Sequence, residues 1–183
     1  MQRETLSSRF PLGSQLPEFS LSCVDGTAVG TDYLRSGKAA LVVFTCNHCP
    51  YVKGSELMLM EIVKRFAPLG LRAVAINAND PVAYPDDSFE KMREKSVALK
   101  LSYPYLWDES QAVARTFDAA CTPECYLFDA RGALVFHGAI TDRPKDSAGP
   151  RADLLSPAIE ATLAGHAPAQ PFAHPIGCSI KWR

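Results

Sequence analysis

Two short apolar runs stand out in the pattern of hydrophobic and polar positions along the chain. Ala39–Thr45 and Leu71–Asn77 are continuous and rich in β-branched residues, a composition typical of strands that are buried on both faces of a sheet. Pro68 and Gly70 mark the end of a helix between these runs. The apolar positions of that helix fall on one face: Val52, Leu59, Ile62, Val63 and Phe66.

Alternation and turn residues predict the elements on either side of this strand–helix–strand unit. Glu18–Cys23 alternates apolar and polar residues and is followed by an Asp25-Gly26 turn, which predicts an N-terminal β-hairpin. Further along, Asp87-Ser-Phe-Glu90 matches a capping box, and we expect it to begin a polar helix that reaches about Leu99.

The second half of the chain adds a hairpin and one more helix. A strand up to Phe128 and a strand Ala133–Ile140 flank a turn that contains glycine, which predicts an antiparallel hairpin. Ser156 and Pro157 begin a helix that ends before Gly165. Crossover helices make parallel strands, and the last hairpin adds an antiparallel edge. The order of elements therefore predicts an α/β fold with a central mixed sheet flanked by helices.

Composition and charge exclude several classes of protein. The chain has 183 residues, of which 47% are hydrophobic and 21% charged, and its formal net charge is −1. A chain of this size builds one domain with an ordinary core. We expect no nucleic-acid partner and no membrane partner, because there is no excess of basic charge. The longest strongly apolar run, Ala39–Phe44, is far shorter than the ~20 residues that span a bilayer.

Six cysteines raise the question of disulfides. Three bridges are plausible in a small secreted scaffold, but this chain is too large to need them. Residues 1–10 also lack the apolar stretch of a secretory signal. We therefore expect a cytoplasmic protein whose thiols are free, catalytic or metal-bound, and the spacing of the cysteines has to decide among these.

Cys46 and Cys49 form a C-x-x-C pair where the first buried strand meets the helix. The free N–H groups and the positive end of a helix dipole favour an anion at that position, so a thiolate there has a lowered pKa and is reactive. Two intervening residues bring the second sulfur close enough to resolve a mixed disulfide. His48 adds a hydrogen-bond donor, or a cation when protonated, that stabilises a thiolate further.

Two simpler interpretations of this motif stay open. A C-x-x-C pair is also half of a zinc site, which Cys121 and Cys125, or Cys178, would complete. The buried strand before the pair and the long helix after it do not resemble a zinc knuckle, so we predict no metal and no other cofactor. His48 alone is also compatible with a solvent-facing loop position.

Three motifs in order resemble a known family. They are Phe44-Thr-Cys-Asn-His-Cys-Pro-Tyr-Val52, Cys121-Thr-Pro-Glu-x-Tyr-Leu-Phe-Asp129 and Gly177-Cys-Ser-Ile-Lys-Trp182. Together they are similar to the peroxiredoxin-like redoxins of the thioredoxin fold, a group related to alkyl hydroperoxide reductase and thiol-specific antioxidant proteins. The resemblance implies that the Thr122-Pro123 bond is cis and packs against the redox pair, and that Pro50 supports the pair.

The resemblance also implies the layout of the chain. We expect a flexible arm over residues 1–12 and a thioredoxin-like domain over residues 13–166, with the β-hairpin as its N-terminal extension. Residues 167–183 then form a C-terminal tail packed on the domain.

Departures from the family patterns bear on the reaction. Classical peroxiredoxins resemble one another in a P-x-x-x-T/S-x-x-C signature that orients the peroxide. If Cys49 is the signature cysteine, the Thr/Ser position holds Cys46 and the Pro position holds Val42. If Cys46 is the signature cysteine, these positions hold Val43 and Ala39. Neither frame fits, which counts against efficient peroxide reduction.

Classical thioredoxins differ as well. They have a tryptophan before the first cysteine and a buried acid in the preceding strand, whereas Thr45 precedes Cys46 here and Ala39–Phe44 contains no carboxylate. A proton acceptor for the second cysteine would have to be Glu56, Glu124 or water.

We predict a thiol–disulfide oxidoreductase in which Cys46 attacks a protein or small-molecule disulfide and Cys49 resolves the mixed disulfide. One alternative is a peroxiredoxin-like thiol peroxidase in which either cysteine forms a sulfenic acid. Another is a non-catalytic metal- or partner-binding module on a thioredoxin scaffold. The sequence identifies no electron donor.

The other four cysteines have different expected roles. Cys121 adjoins the Thr-Pro dipeptide and is either an extra redox partner or a packed thiol. Cys178 is a candidate resolving thiol if the tail folds back; otherwise its motif anchors the tail through Ile180 and Trp182. Cys23 and Cys125 are predicted to pack in the core.

Overall fold

The structure, a computed structural model, describes residues 10–183. Its helices are α1 (Thr31–Arg35), α2 (Pro50–Phe66), α3 (Phe89–Leu99), α4 (Ala112–Thr116) and α5 (Ser156–Leu163), with short 3-10 turns at Ala67–Leu69 and Pro85–Asp87. Its strands are β1 (Ser20–Cys23), β2 (Ala28–Gly30), β3 (Ala39–Thr45), β4 (Leu71–Asn77), β5 (Tyr105–Trp107), β6 (Cys121–Thr122), β7 (Glu124–Phe128), β8 (Leu134–Gly138), β9 (Phe172–Ala173) and β10 (Cys178–Ser179).

The central sheet is mixed, as the order of elements predicts. Its strand order is β2-β1-β5-β4-β3-β7-β8-β9. The pairs β3–β4 and β4–β5 are parallel, because α2 and α3 cross over between them, and β3–β7 and β7–β8 are antiparallel. The predicted hairpins β1–β2 and β7–β8 are both confirmed. Strands β6 and β10 form a separate two-stranded ribbon.

Strand β3 lies at the centre of this sheet and contributes to two cores. All seven of its residues are buried, and successive side chains point to opposite faces. Leu41 and Val43 pack in a core that contains side chains from α2, α3 and α5, whereas Val42 and Phe44 pack in a second core with side chains from α1 and α4. Burial on both faces explains why the strand reads as a continuous apolar run.

The topology of the sheet places the Thr122–Pro123 dipeptide beside the residues that follow β3. Parallel strands β3 and β4 end at the same edge of the sheet, and antiparallel β7 begins there. The register pairs Phe44 with Glu124. The residues before Glu124, which are Thr122 and Pro123, therefore lie alongside the residues that follow β3.

The aromatic residue Phe10 belongs to the core rather than to a flexible arm. Its side chain is buried, and its ring lies 5.1 Å from the ring of Phe117 and 5.8 Å from that of Tyr126. The predicted arm over residues 1–12 is therefore wrong at Phe10, and residues 1–9 lie outside the described part of the chain. An isolated aromatic residue has no periodicity, so its burial left no local signal.

The C-terminal tail lies against the domain at two places. Strand β9 pairs with β8 in parallel, where Gly138 has a φ of 153° and a side chain on it would meet the Ala173 carbonyl. Strand β10 pairs with β6, and Ile180 just beyond it is buried in the second core. Both contacts are long-range in sequence.

One helix start differs from the predicted one, and another decides the surroundings of a cysteine. Ser88, not Asp87, is the N-cap of α3 and accepts a hydrogen bond from the Lys91 N–H. Helix α2 begins at Pro50, so Cys49 is its N-cap.

Within residues 10–183, none of the helices has the length and apolar character that crossing a bilayer requires.

We expect Phe117→Ala to lower the free energy of unfolding by about 3–5 kcal/mol, the usual cost of deleting a buried aromatic ring. Phe117 is fully buried and contacts the rings of Phe44, Tyr126 and Phe128. Urea unfolding under reducing conditions measures the change. Leu57→Ala, at a side chain that is 63% exposed, is the control and should change stability by less than about 0.5 kcal/mol. Equal effects of the two substitutions would contradict this description of the core.

Candidate active site

The two cysteines of the C-x-x-C motif occupy different local structures. Cys46 follows directly after β3, and Cys49 is the N-cap of α2 with Pro50 at the first helical position. Proline suits that position because its missing N–H would have no partner there. Both cysteines are fully buried.

Thr122 contacts both sulfurs. Its Oγ1 lies 3.4 Å from the Cys46 Sγ, and its carbonyl oxygen accepts a hydrogen bond of 3.2 Å from the Cys49 thiol. The Thr122–Pro123 peptide bond is cis. The expected packing of this dipeptide against the pair is therefore confirmed.

The two sulfurs share a proton. A hydrogen bond from the Cys46 thiol lowers the pKa of Cys49 to about 4, and the nearby N–H groups of Val52 and Cys178 act in the same direction against the effect of burial. The pKa of Cys46 is raised, first by its hydrogen bond with Cys49, then by burial and by the charge of Asp87. Cys49, at the helix N-terminus, is therefore the first of the two thiols to ionise, and on ionising it gives up the hydrogen bond that it donates to the Thr122 carbonyl.

Asp87 organises the loop between the two cysteines. Its carboxylate is fully buried. Its Oδ1 accepts hydrogen bonds from the backbone N–H groups of Asn47, at 2.7 Å, and His48, at 3.3 Å. Its Oδ2 accepts a hydrogen bond of 2.7 Å from the Asn79 side chain and lies 2.5 Å from His48 Nδ1. A buried carboxylate needs such partners, because leaving it unpaired costs several kcal/mol.

Sequence reasoning missed Asp87 because the capping-box pattern accounted for it locally. The signal that would have pointed to it is the group of polar residues after β4. Asn77 and Asn79 hold the Asp87 backbone carbonyl and carboxylate, and they lie at the edge of the sheet where β3 also ends. In α/β folds, that edge is where polar functional groups collect.

Comparison with known proteins decides the family. A profile described as the AhpC/TSA family matches residues 12–137. The chain belongs to the AhpC/TSA family. Among proteins with curated descriptions, the comparison found no match.

Solved structures agree with a thioredoxin-like fold for this AhpC/TSA protein. An uncharacterized conserved protein from Geobacillus kaustophilus is 40% identical, with a TM-score of 0.88 over 95% of this chain and 93% of that one. A hypothetical protein from Sinorhizobium meliloti is 33% identical, with a TM-score of 0.90 over 95% and 96%. A thiol:disulfide interchange protein of the thioredoxin family from Chlorobium tepidum is 21% identical, with a TM-score of 0.65 over 82% and 97%. The last likeness concerns the fold alone.

His48 and Lys95 connect the pair to its surroundings in this AhpC/TSA protein. The His48 ring stacks on Tyr84, with 5.5 Å between ring centroids and 9° between planes. On the other side, Lys95 Nζ donates to the Cys46 carbonyl at 3.0 Å and pairs with Glu56 at 2.6 Å. Glu56, which the sequence analysis names as a candidate proton acceptor, is thus paired with the Lys95 ammonium group.

Three metal-binding atom types also meet here. The Cys46 sulfur, a ring nitrogen of His48 and a carboxylate oxygen of Asp87 lie within 4.8 Å of one another. Such a set suits zinc in principle. In this structure, however, the Asp87 oxygens are already saturated by hydrogen bonds, one of them from the same histidine.

Cys178 packs against the pair, whereas Cys121 pairs with Ser179 on the same ribbon. The Cys178 thiol hydrogen-bonds with Cys49 and packs against the buried pair together with Tyr51. Cys178 pairs with Thr122 in the β6–β10 ribbon, so their side chains share one face, and Cys121, one position earlier, lies on the opposite face. Burial and the charges of Glu124, Cys49 and Cys178 raise the pKa of Cys121. Cys23 and Cys125 are buried in the cores, as predicted.

Glu124, the other candidate proton acceptor, belongs to a separate buried cluster. Its Oε2 accepts from the backbone N–H groups of Ala120 and Cys121, at 2.8 and 3.1 Å. Its Oε1 lies 2.6 Å from His137 Nε2 and accepts a hydrogen bond of 3.0 Å from the Tyr126 hydroxyl. The carboxylate thus fixes the backbone that leads into the Thr122–Pro123 turn.

We expect Asp87→Asn to lower the free energy of unfolding by about 1–3 kcal/mol, because the new amide N–H groups face donors on Asn79 and the loop. Thermal or urea unfolding of the reduced protein measures the loss. Asp86→Asn is the matched control, since Asp86 is exposed, and it should have almost no effect. Similar stabilities for the two variants would contradict the role given to Asp87.

The pKa of Cys49, about 4, predicts an unusual pH profile for alkylation. A thiol reacts as the thiolate, which predominates above its pKa. The rate at which iodoacetamide modifies Cys49 should therefore be constant from about pH 6 to about pH 9 and fall only as the pH approaches about 4. In the denatured chain the same rate should rise about tenfold per pH unit in the neutral range, as for an ordinary thiol.

Peptide mapping of the alkylated cysteines gives the outcome at each site. A tenfold rise per unit at Cys49 in the native protein would contradict the assignment. Faster modification of Cys46 than of Cys49 would favour the sequence prediction, in which Cys46 is the nucleophile.

Proposed function

We propose that this protein is a thiol–disulfide oxidoreductase whose Cys46 and Cys49 alternate between a dithiol and a disulfide. The observation that carries the proposal is that the two cysteines are buried together and Thr122 contacts both sulfurs, and the lowered pKa of Cys49 leaves the pair with one thiolate and one thiol. Thiol–disulfide exchange needs a thiolate that attacks and a neighbouring thiol that resolves. A singly protonated pair contains both.

In the proposed cycle, the Cys49 thiolate attacks one sulfur of a substrate disulfide. The other substrate sulfur leaves as a thiolate and takes up a proton. Cys46 then loses its proton and attacks the Cys49 sulfur, which breaks the mixed disulfide and releases the second substrate thiol. The substrate is reduced by two electrons, and the pair is oxidised to a Cys46–Cys49 disulfide, which a dithiol reductant reduces again.

The order of attack in this proposal differs from the sequence prediction, which gave the first attack to Cys46. The physical reason is the position at which α2 begins. Because Cys49 is the N-cap, the helix dipole and the first free N–H groups act on its sulfur more than on that of Cys46. Stabilisation of the thiolate also favours the reduced pair, so its disulfide should be oxidising.

For the substrate we propose a protein or small-molecule disulfide, with a dithiol as the electron donor. A reducing compartment such as the cytoplasm would supply that donor and keep the pair cycling. The formal net charge of −1 gives no reason to expect nucleic acid as a partner.

A thiol peroxidase is the second candidate, and the low pKa of Cys49 favours it, because peroxides also oxidise thiolates. Membership of the AhpC/TSA family favours it as well. Against it, the Thr/Ser and Pro slots of the peroxidase signature hold Cys46 and Val42.

The test compares the two oxidants on the reduced protein and on one pair of variants. Glutathione disulfide should produce the Cys46–Cys49 disulfide, detected by peptide mass spectrometry, much faster than an equal concentration of hydrogen peroxide does. Cys49→Ser should lower the dithiothreitol-dependent reduction of glutathione disulfide by at least about 100-fold. Cys23→Ser, at a buried cysteine of β1, is the control and should retain the activity.

Three results would overturn the proposal. Fast formation of a sulfenate at Cys49 with peroxide, and slow reaction with the disulfide, would identify a peroxidase. Full activity in Cys49→Ser would remove the pair from the reaction. Stoichiometric zinc in protein purified without a chelator, released when the cysteines are alkylated, would identify the metal-binding alternative.

A further inference from the structure

The sulfur of Cys49 has a thiol on either side. It is buried in one cluster with Cys46, and Cys178 of the C-terminal tail packs against that cluster and interacts with the Cys49 side chain. Cys49 is therefore the central member of a group of three thiols, which we call the thiol triad: Cys46, Cys49 and Cys178. The proposed reaction uses two of them and leaves Cys178 without a role.

The fold positions Cys178 by contacts that are independent of the cysteines. Cys178 pairs with Thr122, the residue that contacts the other two sulfurs. Gly177 permits the close approach, because a Cβ on it would lie 2.1 Å from the Thr122 carbonyl oxygen. Beyond β10, the Lys181 N–H donates to Asn79 at 2.8 Å, and its carbonyl accepts from Gln111 at 2.9 Å.

Exposure differs within the thiol triad. Cys46 and Cys49 are fully buried, whereas Cys178 is part-exposed. A dithiol reductant therefore has more accessible surface to attack at the Cys178 sulfur than at either sulfur of a Cys46–Cys49 disulfide. The sulfur that both contacts Cys49 and has exposed surface is that of Cys178.

We propose that Cys178 is a third redox thiol, which attacks the Cys49 sulfur and moves the internal disulfide from Cys46–Cys49 to Cys49–Cys178. This inference rests on the proposed function, since it requires Cys49 to enter a disulfide first. The moved disulfide presents one sulfur to solvent, where a dithiol reductant attacks Cys178. The tail thus connects a buried pair with an external electron donor.

The transfer balances as a thiol–disulfide exchange. Cys178 loses its proton and forms a bond to the Cys49 sulfur, while the Cys46–Cys49 bond breaks and Cys46 leaves with the electron pair and takes up a proton. No net oxidation occurs in this step. The external dithiol is then oxidised by two electrons as the Cys49–Cys178 bond is reduced.

The charges around Cys178 agree with a thiol that becomes reactive only when Cys49 is oxidised. Burial and the neighbouring Cys49 raise its pKa in the reduced protein, while the cations Lys181 and Lys145 lower it. Forming a disulfide removes the negative charge of Cys49. The two lysines then favour the Cys178 thiolate at the moment when attack is possible.

The test follows the cross-link between two tryptic peptides in a variant that lacks Cys46. Cys46→Ser leaves Cys49 as the sole cysteine of the peptide Ala39–Lys53, and Cys178 is the sole cysteine of Ala152–Lys181. After a short exposure to glutathione disulfide and an acid quench, we expect these two peptides to be joined. In Cys46→Ser/Cys178→Ser, glutathione should instead persist on Cys49 at least about 10-fold longer.

Cys46→Ser/Cys121→Ser is the matched control, because Cys121 lies on the same β6–β10 ribbon but is not among the side chains packed in the cluster of Cys46, Cys49 and Cys178. It should form the cross-link at the rate of Cys46→Ser. If glutathione persists equally long on Cys49 in Cys46→Ser and in Cys46→Ser/Cys178→Ser, the role of Cys178 is refuted while attack by Cys49 stands. If Cys49 accepts no glutathione in any of these variants, the proposed function itself fails.

Discussion

The antiparallel register between β3 and β7 is the constraint on which the candidate site depends. It pairs Phe44 with Glu124 and so brings Thr122 to the end of β3. From there Thr122 contacts both sulfurs of the pair, and its strand is also the partner of the tail. A shift of one residue would turn every side chain of β7 to the other face of the sheet. The two buried cores that hold β3 between them prevent such a shift.

Buried carboxylates stabilise the two backbone segments that meet at this point. Asp87 accepts hydrogen bonds from the loop between the cysteines, and Glu124 accepts hydrogen bonds from the backbone just before Thr122. In each case backbone N–H groups that lack a partner in a helix or strand are satisfied by a carboxylate that also has a histidine neighbour. Because each carboxylate is nearly fully buried, losing one partner is costly, and both segments are held firmly.

The three thiols of the site differ in their surroundings, and this difference decides which of them reacts. Three thiols lie together, but the helix N-terminus acts chiefly on Cys49, and part-exposure distinguishes Cys178 from the two buried sulfurs. Membership of the AhpC/TSA family and a thioredoxin-like fold are shared by proteins with different reactions. The difference between disulfide exchange and peroxide reduction therefore rests on the groups around Cys49, not on the fold.

Local patterns in the sequence were sufficient for most of the secondary structure and for the reactive pair. The β-branched runs of β3 and β4, the apolar face of α2 and the turn residues of both hairpins are properties of neighbouring residues, and so is the spacing of Cys46 and Cys49. The role of Asp87 and the pairing of β10 with β6 could not be predicted from local patterns. Asp87 accepts a hydrogen bond from Asn47, which is 40 positions away, and β10 lies near the C-terminus, far along the chain from β6.

A buried strand that ends in a C-x-x-C pair before a helix, and the motifs that resemble the family, are visible in the amino-acid sequence alone. The folded chain shows in addition that α2 begins after Cys49, that Asp87 accepts hydrogen bonds from the loop between the cysteines, and that Cys178 packs against the pair. The physical reason is that propensity and periodicity act over a few residues. The pKa of a thiol and the burial of a carboxylate depend instead on whichever groups the sheet brings together.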